Sequence, residues 1–252
     1  MAFPFYVLRS QIHSIDGISV NPTPPVLTLA SASPRRRELL GFLGVPFQAI
    51  GTDGEECDST PPPAITAALP PAPLPLATHP TLLAWRKAHA ACAETPESVI
   101  IGADTIVVLD GDILGKPRDA AHARVLLRRL SGRTHTVYTG LAVLDGPTGE
   151  LYFDLVTSVV AIAELTDAEI AAYVATSEPL DKAGAYGIQG LGGRLVREVV
   201  GSYTCVVGLP LVELHRLLAD AGVAGLADPI EAYRRWLGAQ GKEPLPCPPT
   251  FP

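Results

Sequence analysis

Proline decides where this chain is able to build regular structure. Sixteen of its 25 prolines among 252 residues fall in NPTPP at 21–25, STPPPAITAALPPAPLPLATHP at 59–80 and KEPLPCPPTFP at 242–252. A proline ring removes a backbone donor and is excluded from the interior of a helix or a central strand. The first cluster therefore ends an N-terminal extension, residues 1–25. The second is expected to be an exposed, semi-extended insertion, too Pro-rich for helix or central strand. The third is a tail behind a predicted amphipathic helix, PIEAYRRWLGAQ, so residues 223–252 read as a C-terminal helix and Pro-rich tail. What lies between, residues 26–222, is expected to be a single domain.

Inside that domain VLTLA at 26–30 reads as a strand, residues 34–43 as a helix and residues near 46–50 as a strand. Helices are predicted over 80–93 and 119–131. SVIIGADTIVVLDGDILG reads as a buried strand, an interruption at Gly102–Asp104 and a second strand turning at Asp110-Gly111. THTVYTGLAVLD and LYFDLVTSVVAIAEL form an antiparallel pair around GPTG. Thr166 with Glu169 makes a capping box that opens a helix to about Ser177. A glycine-rich loop at 184–193 leads to a strand at 194–200 and then a helix over 209–220. Helix crossovers mixed with hairpins imply α/β, with α+β as the alternative: a mixed, strongly twisted sheet flanked by helices.

Composition excludes several classes of partner. A net charge of -7 argues against duplex nucleic acid, whose phosphate backbone selects basic proteins. No apolar run reaches the ~20 residues of a membrane span. The short apolar opening, without a basic flank, does not read as a signal peptide. Cys57, Cys92, Cys205 and Cys247 are scattered, with no zinc or disulfide spacing, which reads as free thiols in a reducing, cytoplasmic compartment. The histidines form no ligand pattern.

Against that acidic background one helix opens the wrong way round. Ser33 suits its N-cap and Pro34 its first position, yet the next residues are Arg35, Arg36 and Arg37. A helix N-terminus already carries roughly half a positive charge, and each cation there costs about 0.3–1 kcal/mol. A bound phosphate reverses the sign, because first-turn cations, backbone donors and the dipole all favour an anion. Ser31 and Ser33 add hydroxyl donors. Outward-pointing, solvated arginines are the bland alternative, and no Walker loop is present.

Two further segments carry candidate chemistry. Asp104 ends a buried strand, poor core material unless it is paired or holds a metal. Lys116, fixed between Gly115 and Pro117, suits a phosphate point contact. In EPLDKAGAYGIQGLGGRL the run of Gly184, Gly187, Gly190, Gly192 and Gly193 suits a loop whose backbone closely approaches a ligand. Gln189 there offers the donor and acceptor that base recognition requires. Asp181 and Lys182 either pair or serve the site. Glu55 and Glu56 are surface charge or metal ligands, and Lys87 by itself reads as a solvated helix lysine. No Ser/His/Asp or Cys/His system is present, so a covalent intermediate is not expected.

Taken together and in order, LASASPRRRELL, IGADTIVVLDGDILGKPRDAAHARVLLRRLSGRTHTVYTG, EPLDKAGAYGIQGLGG and GSYTCVVGLPLVE resemble the Maf family of nucleoside-triphosphate pyrophosphatases. The resemblance implies an active-site cleft between two lobes. It also implies hydrolysis between the α and β phosphates, to a monophosphate and pyrophosphate, with a divalent cation such as Mg²⁺ or Mn²⁺. On this pattern Ser31, Ser33, Arg35, Arg36, Thr105, Lys116 and Gln189 bind the nucleotide. Asp104, Glu56 and Lys87 are catalytic, with Asp104 as general base or metal ligand and Glu56 as its partner. Arg35, Thr105 and Gln189 resemble the branch preferring dTTP and UTP. A homodimer enters by resemblance alone. The rival reading is a non-catalytic nucleotide-binding regulator, for instance of cell division, which would keep the cations and lose the acid.

Overall fold

In a computed structural model, which describes residues 7–8, 26–52 and 60–241, the frame is a mixed sheet. Its strands are β1 (Val7–Leu8), β2 (Val26–Ala30), β3 (Phe47–Ile50), β4 (Ser98–Leu109), β5 (Asp112–Ile113), β6 (Thr134–Asp145), β7 (Glu150–Ile162) and β8 (Val196–Val200). They run in the order β1-β7-β6-β4-β2-β3, with β5 on β4 and β8 on β7. The helices are α1 (Pro34–Gly41), α2 (Pro63–Ala68), α3 (Pro80–Cys92), α4 (Ala120–Leu130), α5 (Asp167–Ala175), α6 (Tyr203–Val207), α7 (Leu211–Asp220) and α8 (Pro229–Ala239). Strand β2 is parallel to β3 and β4, whereas β5 and β8 are antiparallel to β4 and β7. The chain is therefore mixed α/β, as the element order implied. No helix of the described residues is long and apolar enough to cross a membrane.

Packing divides the described residues into two compact units. The first takes those up to Asp104 with Gly140–Leu155 and Leu211–Tyr233; the second takes Thr105–Thr139, Val156–Pro210 and those from Arg234 onward.

In the first unit β2 lies between β4 and β3, and Leu27, Thr28, Leu29 and Ala30 are all buried. Such an unbroken buried run belongs to a parallel strand covered on both faces. Ile65, Leu82, Ala84, Trp85, Ala88, Ile100, Leu144 and Leu151 share one core cluster. Ile65 corrects the reading of residues 59–80 as a helix-free, exposed insertion, because it is buried on helix α2. Proline opens that helix instead of breaking it: Pro63 occupies the first turn, where a missing N–H is harmless and the fixed φ is already helical. His79 is buried as well and ties the segment to the start of α3 through Nε2 and the Pro70 carbonyl, 2.9 Å apart.

Strand β4 corrects a second expectation. It runs from Ser98 to Leu109 without an interruption at Gly102–Asp104. Gly102 is there because α3 crosses the strand at close range: a Cβ would lie 2.0 Å from the Ala84 carbonyl oxygen. The glycine marks a close backbone approach, not the end of pairing.

In the second unit α4 packs on α5. Asp119 caps α4 by accepting from His122 N at 2.7 Å, and Thr166 and Glu169 close the full capping box of α5. In the first unit lies the tight turn after Asp145 that joins the sheet neighbours β6 and β7, where Gly149 N donates to the Asp145 carbonyl at 2.7 Å. On α8 Trp236 is fully buried, so the C-terminal helix covers apolar surface.

Candidate active site

Helix α1 begins at the C-terminal end of β2, the end of a parallel strand where α/β sheets bind ligands. Ser33 caps it, its hydroxyl accepting from Arg36 N at 3.5 Å. Ser31, which is buried, accepts from Ser33 N at 3.2 Å and from Arg36 Nη1 at 3.4 Å. Both hydroxyls are thus acceptors within the turn, and each keeps its own proton to donate outward. No acidic residue enters the first turn. Arg37, exposed, folds back to the Ala32 carbonyl at 2.9 Å. Arg35 and Arg36 are half-buried, whereas Arg37 is exposed.

Two periodicities place the next pair. On β4, Gly102 and Asp104 share one face, because side chains alternate. On α3, Ala84 and Lys87 share one face, three residues apart. Ala84 meets Gly102, and Lys87 consequently meets Asp104: Nζ lies 2.7 Å from Oδ1 and 3.3 Å from the Ala103 carbonyl. Both side chains are buried, at 6% and 12% exposure. Lys87 is therefore no solvated helix lysine, as its local sequence alone implied. A pair this buried survives because each charge is the other's counter-ion. Asp104 Oδ2 is left without a hydrogen bond among the described residues.

Glu56 lies outside the described residues. Among those described, no group of three or more His, Cys, Asp or Glu side chains is arranged to hold a metal. A hard cation asks less when it shares its shell with substrate phosphates and water: one or two carboxylates suffice. The open Oδ2 of Asp104 fits that demand.

The second unit holds Thr105, Lys116 and Gln189. Thr105 Oγ1 and Thr139 Oγ1 are 2.9 Å apart, and Thr139 donates its single proton to the Cys205 carbonyl at 2.8 Å. Thr105 must then be the donor to Thr139. Lys116 is exposed on a segment fixed by Gly184 N, which donates to the carbonyls of Leu114 and Gly115 at 3.0 and 3.2 Å. Lys182 and Asp181 do pair, at 2.6 Å.

At Gly190 and Gly192 the loop's own packing requires glycine, a reason separate from the ligand approach that the sequence suggested. A Cβ on Gly190 or Gly192 would strike, respectively, the Glu178 carboxylate and the Tyr173 hydroxyl, each at 2.4 Å. That carboxylate accepts from Leu191 N at 2.9 Å, Gly192 N at 3.1 Å and Tyr173 Oη at 2.9 Å; Tyr173 Oη in turn accepts from Gly187 N at 3.0 Å. Burial pushes the Glu178 carboxyl up, but the two amides, the phenol and Lys182 outweigh it and hold it below the usual carboxylate range. Sequence reasoning missed Glu178 and Tyr173. The one signal available was a carboxylate set directly before Pro179 and the glycine run.

His135 was missed too. It is buried on β6, with Nε2 2.8 Å from the Tyr186 hydroxyl and Nδ1 without a partner among the described residues. Burial lowers its pKa to about 4. The unfolded chain takes up this proton near pH 6.5 and the folded chain only near pH 4, so the stability is intact above pH 6.5 and falls as pH drops between those values. The loss amounts to about 3 kcal/mol at the acid end. Urea denaturation from pH 7 to pH 4 should show it, and His135→Phe should flatten the slope while lowering the plateau. An unchanged slope in the variant would contradict the assignment.

With this geometry stand three comparisons. A family model described as Maf-like protein matches residues 26–221. The dTTP/UTP pyrophosphatase of Escherichia coli (strain K12) is 50% identical over 195 residues, 77% of this chain and 92% of that protein. A protein of the same name in Moorella thermoacetica is 49% identical over 197 residues, 78% of this chain and 95% of its own length.

Proposed function

Because the chain belongs to the Maf family, we propose that it is a nucleoside-triphosphate pyrophosphatase acting on dTTP and UTP. It cleaves the bond between the α and β phosphates. The observation that carries this reading is the buried Lys87–Asp104 pair with its open Oδ2. Lys87 fixes the carboxylate by one oxygen, so the other faces the reacting water as base. The water oxygen bonds to the α-phosphorus, its proton passes to Asp104, and the bond to the bridging oxygen breaks with pyrophosphate as leaving group. Ser31, Ser33, Arg35 and Arg36 hold the triphosphate and neutralise charge as it develops on the leaving group, where preorganised donors are most effective. Thr105, Lys116 and Gln189 complete substrate binding, with Gln189 reading the base.

In the alternative role of Asp104, as metal ligand with Glu56 as its second carboxylate, the divalent cation would supply Lewis-acid polarisation of the phosphates. The free thiols of Cys92 and Cys205 agree with a cytoplasmic enzyme, and a homodimer is part of the same reading. Hydrolysis of dTTP in ¹⁸O-enriched water tests the bond cleaved. The label should appear in the monophosphate. Label in pyrophosphate would place the attack on the β-phosphorus and overturn the mechanism.

A further inference from the structure

The residues around Gln189 are anchored one by one. Tyr186 is held at its hydroxyl by His135, Gly187 N by Tyr173, and Leu191 N and Gly192 N by Glu178. Gly190 N donates to the Gly187 carbonyl at 3.2 Å, and Ile188 accepts at its carbonyl from Tyr203 Oη at 3.0 Å. Tyr203 is half-buried, as Glu178 is, and stands in the first turn of the short helix α6. Its ring meets that of Trp236, with centroids 6.0 Å apart and planes at 55°. Trp236 is fully buried, belongs to α8 and lies beyond the residues that match the family model.

We propose that the C-terminal helix is part of the substrate-recognition apparatus: Trp236 positions Tyr203, which fixes the Ile188 carbonyl and so presents Gln189 to the nucleobase. The inference rests on the reading of Gln189 as the base-contacting residue. Neither aromatic touches substrate; both are positioning residues. A side-chain amide distinguishes bases only if its donor and acceptor sit still, and locked neighbours provide that. Helix α8 thus has a consequence for selectivity in addition to its burial of apolar surface.

The test compares Tyr203→Phe, Trp236→Phe, Trp236→Ala and Gln189→Ala in the full chain, with dTTP and CTP as substrates and thermal midpoints alongside. Tyr203→Phe keeps the ring and removes only the hydrogen bond. Its KM for dTTP should rise about tenfold, the scale of one lost hydrogen bond, with kcat much less affected and the dTTP preference over CTP reduced. Trp236→Ala should move the same quantities in the same direction, and Trp236→Phe should restore most of the parental values. If Gln189→Ala alters base preference while Tyr203→Phe and Trp236→Phe or Trp236→Ala keep parental KM and selectivity, the positioning role is overturned and the reading of Gln189 stands. If Gln189→Ala leaves base preference unchanged, that reading falls and the proposal falls with it. Loss of thermal stability without any change in KM or selectivity would reduce α8 to a structural role.

Discussion

Asp104→Asn should lower kcat for dTTP by a factor on the order of 10²–10⁴, the range expected for loss of a positioned base. The substitution is nearly isosteric, and its amide oxygen still accepts from Lys87 at the position of Oδ1. What changes is the other atom. Where Oδ2 offers a lone pair to water, the amide offers protons, so the residue has nothing with which to take one. The same change removes the charge that a hard cation requires. KM should move much less than kcat, because Ser31, Ser33 and the arginines lie on the α1 turn and their hydrogen bonds do not involve Asp104. Steady-state kinetics with circular dichroism on the same sample checks both halves. Parental kcat in a folded Asp104→Asn would remove Asp104 from the chemistry.

Lys87→Met should be the most destabilising single change at the site, by about 3–5 kcal/mol. Methionine fills much of the volume of the lysine stem but leaves the Asp104 carboxylate buried with no counter-charge. The cost is therefore electrostatic and depends on Asp104 remaining ionised. Adding Asp104→Asn removes the stranded charge, so the double variant should be more stable than Lys87→Met alone. A double-mutant cycle by urea denaturation measures this coupling directly. Strict additivity would mean that the 2.7 Å contact contributes nothing to stability. Activity should be lost in both, since the ammonium is what holds the carboxylate in place.

What could be read from the chain alone follows a physical division. Local signals carried well: the Ser33 and Pro34 helix start, the Thr166–Glu169 box and the turn after Asp145 are each written within a few consecutive residues. Signals that depend on what lies opposite did not. Gly102 looked like a break because its reason, the Ala84 carbonyl, is on another element. Lys87 looked solvated because α3 is buried on most of its circumference, leaving no polar face to betray an inward charge. Prolines 62 and 63 looked like breakers because only the structure tells a helix start from a helix stop. The glycine run was assigned to a ligand because the group that crowds it, Glu178, is up to 14 residues away in sequence. Of the candidate site, residue types were legible and partnerships were not. Lys87 and Asp104 are separated by 17 residues, and no spacing rule connects them.

The Lys87–Asp104 pair and the cationic α1 turn together serve triphosphate hydrolysis in the proposed function. Pyrophosphate release from dTTP, UTP, CTP, ATP, GTP and ITP, each with Mg²⁺ or Mn²⁺ and with neither, tests it most directly. Release should depend on the cation and be fastest with dTTP and UTP. Folded protein that binds these nucleotides yet releases pyrophosphate from none of them would contradict it and identify a nucleotide-binding regulator instead.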